Sequence, residues 1–200
     1  MKPGLLGCFL LVLATDAWAH RLDEYLQAMR IAVGTNHIDL FIDLTPGVAV
    51  ADQLLAVIDK DHNGQVSLAE SSAYARRVLQ DIRTRLDEKA LTLSLVDVTF
   101  PSPLEIRSGV GVIRIKATVP VGPLAASNHT LSLTNVHLPS ISVYMVNALI
   151  PKDPAIKVTK QTRDDLQKDY RLDFSVALSP AGGPPRSTAP APMLRAKDEP

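Results

Sequence analysis

Apolar and polar residues alternate with a period of two near the start of the chain. Residues 25–33 are rich in strand-forming side chains, and Gly34-Thr35-Asn36-His37 has the composition of a turn. Over residues 37–44 the apolar residues Ile38, Leu40, Ile42 and Leu44 occupy every second position. This pattern predicts a β-hairpin over residues 25–45, which Pro46-Gly47 ends.

The apolar spacing then becomes helical. One stripe precedes the polar stretch of residues 59–70, and a second follows it and predicts a helix of roughly five turns. Together they predict a helix–loop–helix unit over residues 48–88. The first stripe consists of Val50, Leu54, Val57 and Ile58, and the second of Tyr74, Val78, Leu79, Ile82 and Leu86.

After Lys89 the period returns to two. A strand carrying Leu91, Leu93 and Leu95 is broken by prolines 101 and 103. Turn residues separate the later strands, and many short strands at such spacing are typical of a sandwich. We therefore predict an α+β, mainly β fold: an antiparallel β-sandwich-like domain with the helix–loop–helix inserted between its second and third strands. The later strands contain Ile113, Ile115, Ala117 and Val119; Leu131 and Leu133; Ile141, Val143 and Met145; Ile156 and Val158; and Leu172, Phe174 and Val176.

Both ends of the chain differ from this domain. Residues 1–19 combine Lys2, an apolar run over 5–13 and a small-residue cleavage site at 17–19, which is typical of a secretory signal peptide. The run is too short for a transmembrane helix, which needs about 20 apolar residues. Residues 179–200 are rich in proline and alanine and predict a disordered tail, so the folded domain is predicted over residues 20–178.

Composition and charge limit the classes of partner. The formal net charge is zero and no block of Lys or Arg occurs, so nothing favours nucleic acid or an acidic membrane surface. The single cysteine, Cys8, lies in the predicted signal peptide. It ends a Leu-Leu-Gly-Cys sequence that is similar to a lipoprotein signal, but the apolar segment before it is too short for such a signal. We predict a periplasmic or secreted protein without disulfides and without a transmembrane span.

The polar stretch of residues 59–70 carries the strongest chemical signal. Oxygen-bearing side chains stand at its positions 1, 3, 5, 9 and 12 and glycine at 6, the spacing of a twelve-residue EF-hand calcium loop. Gln65 would contribute its backbone carbonyl, Ser67 would act through a water, and Glu70 would close the site with both oxygens. The predicted cofactor is Ca²⁺, and its predicted ligands are Asp59, Asp61, Asn63, Gln65, Ser67 and Glu70.

Two alternatives to a calcium site stay open for this loop. The first is an empty acidic turn between two helices. The second is a site for Mg²⁺ or Mn²⁺, although a bidentate Glu at position 12 favours the larger Ca²⁺. Gly64 is expected to take a positive φ angle, and Val66 at position 8 is expected to pack inward. Three carboxylates predict an intermediate to weak calcium affinity.

Other chemistry is weakly supported. His20 would be the new N-terminus after cleavage, where an amine and an imidazole can chelate Cu²⁺ with a second histidine. No GxSxG, HExxH or phosphate-binding glycine loop occurs, so we predict no enzyme, with a dispersed active site left open. The remaining histidines are His37, His62, His129 and His137, and none has HxH or HxxxH spacing.

Several segments together resemble a known family. Residues 19–28, 44–48 and 141–149, with the acidic loop, resemble exported bacterial proteins that carry one EF-hand. They are also similar to the extracytoplasmic N-terminal regions of some HupE/UreJ-like membrane proteins, over roughly residues 19–178. The resemblance implies the same calcium ligands and no activity. Membrane relatives continue into transmembrane helices that this sequence lacks, so metal permeation does not carry over.

These observations lead to one expected function and two alternatives. We expect an exported calcium-binding domain in which a single loop stabilises the fold, because sensor EF-hands act in pairs. The first alternative is a soluble interaction or metal-handling partner of a membrane protein, with the sheet as its docking face. The second is a hydrolase with a dispersed site.

Overall fold

The computed structural model describes residues 23–177. The predicted signal peptide (1–19), with Cys8, and also His20 and the predicted tail (179–200) lie outside the described residues. In chain order the elements are β1 (Tyr25–Val33), β2 (His37–Pro46), α1 (Val48–Ile58), α2 (Leu68–Gln80), β3 (Ile82–Leu86), β4 (Lys89–Leu91), β5 (Ser94–Thr99), α3 (Pro103–Arg107), β6 (Ile113–Pro120), β7 (Asn128–Asn135), β8 (Ser142–Ala148), β9 (Ile156–Arg163) and β10 (Asp169–Val176).

The strands form two five-stranded sheets. The first sheet has the order β5-β6-β2-β1-β8, and the second has the order β4-β3-β7-β10-β9. Neighbouring strands are antiparallel except β1 and β8, which run parallel. The predicted α+β, mainly β, antiparallel sandwich-like fold is confirmed, and the two helices of the insertion lie between β2 and β3 as predicted.

The inner faces of both sheets share one apolar core. Buried residues alternate along β2, so that Ile38, Leu40, Ile42 and Leu44 all face inward. They belong to the same buried cluster as Leu172 and Phe174 of the opposite sheet. Full burial of each such side chain contributes about 1.5–3 kcal/mol, and a shift of one residue would turn the whole set outward.

The second helix of the insertion is shorter than the sequence predicts. We predicted about five turns carrying Ile82 and Leu86, but α2 ends at Gln80 and both residues belong to β3. A spacing of four places two residues on one face of a helix and also on one face of a strand. Buried and exposed residues alternate in this segment, which is the pattern of a strand: Ile82, Thr84 and Leu86 are buried, and the arginines at 83 and 85 are exposed. The helix–loop–helix therefore spans 48–80.

The region around residues 91–107 also differs from the prediction. The leucines at 91, 93 and 95 do not share one strand, because β4 is an edge strand of the second sheet and β5 is an edge strand of the first. Pro103 does more than break a strand, since it opens the short helix α3, where Ser102 and Glu105 form a capping box. In β8 the buried side chains are Tyr144 and Val146, whereas Val143 and Met145 point to solvent.

None of the helices within residues 23–177 combines the length and the apolar character needed to cross a bilayer.

Candidate metal centre

The acidic loop joins α1 to α2 and bends sharply in its middle. Gly64 takes a φ of +79° and His62 a φ of +57°. A Cβ atom added at Gly64 would meet nothing within 4 Å, so the bend needs glycine for its backbone conformation and not for space. This confirms the positive φ predicted for position 6 of the loop.

Three carboxylates of the loop converge. One oxygen from each of Asp59, Asp61 and Glu70 lies within 4.8 Å of the others. Calcium binds oxygen at about 2.3–2.6 Å, so two ligands on opposite sides of one ion lie up to about 5 Å apart. The donor set consists of hard oxygens, which suit Ca²⁺ or Mg²⁺ better than a soft transition metal. The three residues therefore fit a shared hard cation.

Backbone amides of the loop orient the two aspartates. The Asn63 N–H donates to Asp59 Oδ1 at 3.1 Å and also lies 3.2 Å from Asp61 Oδ1, and the Gly64 N–H donates to Asp59 Oδ2 at 2.9 Å. These bonds hold the two aspartate carboxylates in place although Asp61 is exposed and Asp59 only half-buried. The loop backbone therefore positions both aspartates without side chains from other elements.

Glu70 closes the loop from the first turn of α2. Its Oε1 accepts from the Lys60 N–H at 2.6 Å, and its Oε2 accepts from the N–H and hydroxyl of Ser67 at 3.0 and 2.8 Å. The Glu70 N–H donates back to Ser67 Oγ, which completes a capping box. The Ser67 amide and hydroxyl, followed by the Lys60 amide, lower the pKa of Glu70 to about 2.

The other predicted ligands are joined to this cluster by hydrogen bonds. Asn63 turns its Nδ2 toward Asp61 Oδ2 at 2.8 Å, while its Oδ1 accepts from the Gln65 N–H at 2.8 Å. An amide nitrogen cannot bind a cation, so in this rotamer Asn63 is a partner of Asp61. The side chain of Gln65 is exposed, and Ser67 serves as the cap of α2.

Val66 anchors the loop to the rest of the domain. It is half-buried and packs against the main core and also against the small cluster of Ala51, Leu55 and Ile106. The predicted inward packing of loop position 8 is thus confirmed. Through Val66 and the two helix ends, the geometry of the loop is linked to the geometry of the sandwich.

No protein-family model, curated protein or solved structure matches this chain. The similarity to exported single-EF-hand proteins stays a prediction, and the assignment of this centre depends on its own residues. Among the described residues, Asp59, Asp61 and Glu70 are the one group of three or more His, Cys, Asp or Glu side chains close enough to share an ion.

A buried polar network next to α2 was not predicted. The hydroxyls of Tyr25 and Tyr74 lie 2.8 Å apart, Tyr74 lies 2.9 Å from Nε2 of His137, and Nδ1 of His137 lies 2.8 Å from Asp81. His137 is completely buried. Its backbone carbonyl accepts from the Gln27 amide at 2.8 Å and from the Tyr144 hydroxyl at 3.0 Å.

The chemistry of its members gives this network a direction. Asp81 only accepts, so Nδ1 of His137 carries a proton. Burial holds the pKa of His137 below its usual range despite the opposing effect of Asp81, so the ring is neutral and Nε2 has a lone pair. Tyr74 donates to that lone pair, and Tyr25 therefore donates to Tyr74. The network connects the middle and end of α2 to β1 and to the segment before β8.

A second histidine centre contains Ser, His and Asp side chains but is not arranged for nucleophilic catalysis. Nδ1 of His129 lies 2.6 Å from Asp87, and its Nε2 lies 3.1 Å from Ser127 Oγ and 2.9 Å from the Ala125 carbonyl. A carboxylate and a carbonyl only accept, so both ring nitrogens carry protons. The ring therefore has no free lone pair with which to activate Ser127, and it clamps the β3–β4 turn to β7 as an imidazolium.

The His129–Asp87 clamp is expected to make stability depend on pH. Burial opposes the charge on His129, but the Ala125 carbonyl and Asp87 outweigh burial and raise its pKa. Partial burial of Asp87 is similarly outweighed by His129 and the Thr130 amide, which lower its pKa. The contribution of Asp87 to the free energy of unfolding is lost as the pH falls through its lowered pKa. The contribution of His129 is complete below about pH 6.5 and is lost as the pH rises through its raised pKa.

We expect His129→Gln to lose about 1 kcal/mol more stability at about pH 5.5 than at about pH 9, because glutamine cannot carry the charge. Urea unfolding at both pH values measures the difference. His37→Gln, at an exposed position beside Asp39, is the comparison variant, and its loss should differ less between the two pH values than that of His129→Gln. Equal losses for His129→Gln at the two pH values would mean that the clamp is not ionic.

Proposed function

We propose that this chain is an exported, periplasmic or secreted domain that binds one Ca²⁺ in the loop 59–70, and that the ion stabilises the fold. The observation that carries the proposal is the convergence of one oxygen each from Asp59, Asp61 and Glu70 within 4.8 Å of one another. These residues occupy positions 1, 3 and 12 of a loop with glycine at 6, which is the ligand spacing of an EF-hand.

The choice of calcium follows from the type and number of the donors. All three carboxylates are hard oxygen ligands on a solvent-facing loop. Further coordination would come from the Gln65 carbonyl, from Ser67 through a water, and from Asn63 after its side-chain amide turns Oδ1 toward the ion. Ca²⁺ accepts six to eight oxygens in flexible geometry, whereas Mg²⁺ requires a near-ideal octahedron and releases its waters reluctantly. A loop that offers this many oxygens therefore favours Ca²⁺.

A structural role is supported by the way α2 is fixed. Glu70 and Ser67 hold its start, Tyr74 bonds to Tyr25 and His137 in the core, and Asp81 at its end bonds to His137. A helix held at its start, middle and end has little freedom to swing open, as a sensor helix must. Calcium bound at its start would add to the stability of this arrangement.

Calorimetric titration of Ca²⁺ into the chain tests the proposal. We expect one site with a Kd between about 10⁻⁵ and 10⁻³ M, the range for a loop with few carboxylates or an extracellular module. Asp59→Ala should abolish the binding heat because it removes the ligand at position 1. Asp165→Ala, which removes an exposed acid outside the loop, is the matched control and should leave the titration unchanged.

Two results would reject this assignment. The first is an absence of binding heat at millimolar Ca²⁺, which would identify the loop as an acidic turn. The second is binding of Mg²⁺ more tightly than Ca²⁺, which would assign the centre to the smaller ion.

A further inference from the structure

A groove of about 1020 Å³ lies on the side of the sandwich where residues 92–93 connect β4 of the second sheet to β5 of the first. One of its walls is the outward part of α2, and the others come from β3, β4, β5 and β7. The groove reaches the end of the acidic loop at Leu68, but none of the three clustered carboxylates lines it.

Strand edges form much of this groove. Consecutive residues of a strand point to opposite faces of its sheet, so a groove that contacts every residue from Ser94 to Val98 must run along the edge of β5. The same holds for residues 82–85 and 90–93. β5 is paired with β6 on one side and stands at the end of its sheet, so its other edge has no strand partner among the described residues. α2 packs close to β5 and forms a wall of the groove beside it.

The edge of β3 is also partly open. β4 pairs with β3 only from Thr84 to Leu86, after which the chain crosses to the other sheet. Ile82 and Arg83 therefore have no strand on that side within residues 23–177. Because backbone groups alternate in direction along an antiparallel strand, one of these two residues presents its N–H and C=O to the groove.

Charge and polarity indicate what the groove would accept. Its lining contains three arginines, Arg76, Arg83 and Arg85, against one acid, Asp97, in a chain of zero formal net charge. Neither Arg76 nor Arg83 forms an ion pair with another described residue. Thr84 also lines the groove, and its buried hydroxyl has no hydrogen-bond partner among the described residues. Such a hydroxyl is costly to leave unpaired.

We propose that this groove binds an extended acidic peptide segment of a partner protein, which adds a strand to the open edge of β5. Backbone hydrogen bonds to residues 94–98 would hold the peptide, as in other cases of strand addition to a sheet edge. Carboxylates of the peptide would reach Arg76 and Arg83. Apolar side chains at alternate positions would pack on Leu91 and Leu93, which are half-buried in the groove wall.

The test uses the full chain and a fluorescein-labelled peptide of alternating glutamate and valine. We expect saturable binding by fluorescence anisotropy, which the double substitution Arg76→Glu, Arg83→Glu weakens by roughly tenfold or more. Arg114→Glu, Lys160→Glu makes the same change in net charge on exposed positions outside the groove and should leave binding within about twofold. Hydrogen exchange of the amides in residues 94–98 should slow when the peptide binds.

A backbone control separates strand addition from simple charge attraction. The same glutamate–valine peptide with N-methylated amides keeps its charge but cannot donate backbone hydrogen bonds, and we expect it not to bind measurably. The proposal is overturned if the labelled peptide fails to bind, if both charge-reversal variants weaken binding equally, or if the N-methylated peptide binds as well as its parent.

Discussion

Saturating Ca²⁺ is expected to raise the melting temperature of the chain by roughly 5–10 °C. A ligand at about 100 times its Kd stabilises a folded protein by about 2.7 kcal/mol, and a domain of this size gains about 2–4 °C for each kcal/mol. The gain arises because the convergent carboxylates of Asp59, Asp61 and Glu70 exist only in the folded loop. Thermal unfolding followed by circular dichroism in Ca²⁺ and in EDTA measures the shift.

Glu70→Gln should abolish this calcium shift while changing the melting temperature in EDTA very little. Glutamine at this position keeps the reciprocal bonds with Ser67, because the capping box accepts Glu or Gln, and it loses only the exposed bond from the Lys60 amide. It has no negative charge and lacks the second oxygen that the ion requires. Glu105→Gln is a closely matched control, since Glu105 forms the same capping box with Ser102 on α3, outside the loop. A calcium shift that survives Glu70→Gln would place the ion elsewhere.

The acidic loop could be predicted because all its groups lie within twelve consecutive residues. Hydrogen bonds between backbone amides and side chains within this segment position its groups. These groups are the carboxylates, the glycine at position 64 and the cap at Ser67. The hairpin of β1 and β2 is similarly local, and its period of two is strict. Local order of this kind is visible in a sequence because the chain itself supplies the spacing.

Elements whose apolar spacing fits two periods could not be predicted. Ile82 and Leu86 are four positions apart, which suits a helix and a strand equally, and the choice was made by pairing with β7. The split of residues 89–99 into strands of different sheets likewise depends on partners distant in sequence. Such tertiary contacts override local propensity and have no signature in a single segment.

The histidine centres were missed for the same reason. Tyr25 and Tyr74 are 49 positions apart, and Tyr74 and His137 are 63 apart. No motif links residues at such distances, and the sequence around the histidines can be compared only with the short spacings of metal ligands. The observable signal was weaker: one tyrosine lies in a predicted strand and the other on the apolar stripe of a predicted helix, where a buried hydroxyl needs a partner.

His137→Ala is expected to destabilise the domain by about 3 kcal/mol, which lowers the melting temperature by roughly 6–12 °C. The substitution removes a completely buried ring, leaves a cavity, and leaves the Tyr74 hydroxyl and the Asp81 carboxylate without their partner. His37→Ala removes an exposed ring and should change stability by less than about 0.5 kcal/mol. Chemical denaturation of both variants measures these losses.

The hydrogen bond between Tyr25 and Tyr74 provides a sharper test of this network than the stability lost in His137→Ala. If Tyr25 donates to Tyr74 and Tyr74 donates to His137, then Tyr74→Phe leaves the buried Tyr25 hydroxyl without an acceptor. Adding Tyr25→Phe removes that unpaired donor, so the double variant should be at least as stable as Tyr74→Phe alone, although it lacks two hydroxyls. A buried donor without an acceptor costs about 1–3 kcal/mol, which is large enough to resolve. Additive losses would instead mean that the two hydroxyls act independently, since only groups in one network compensate each other in this way.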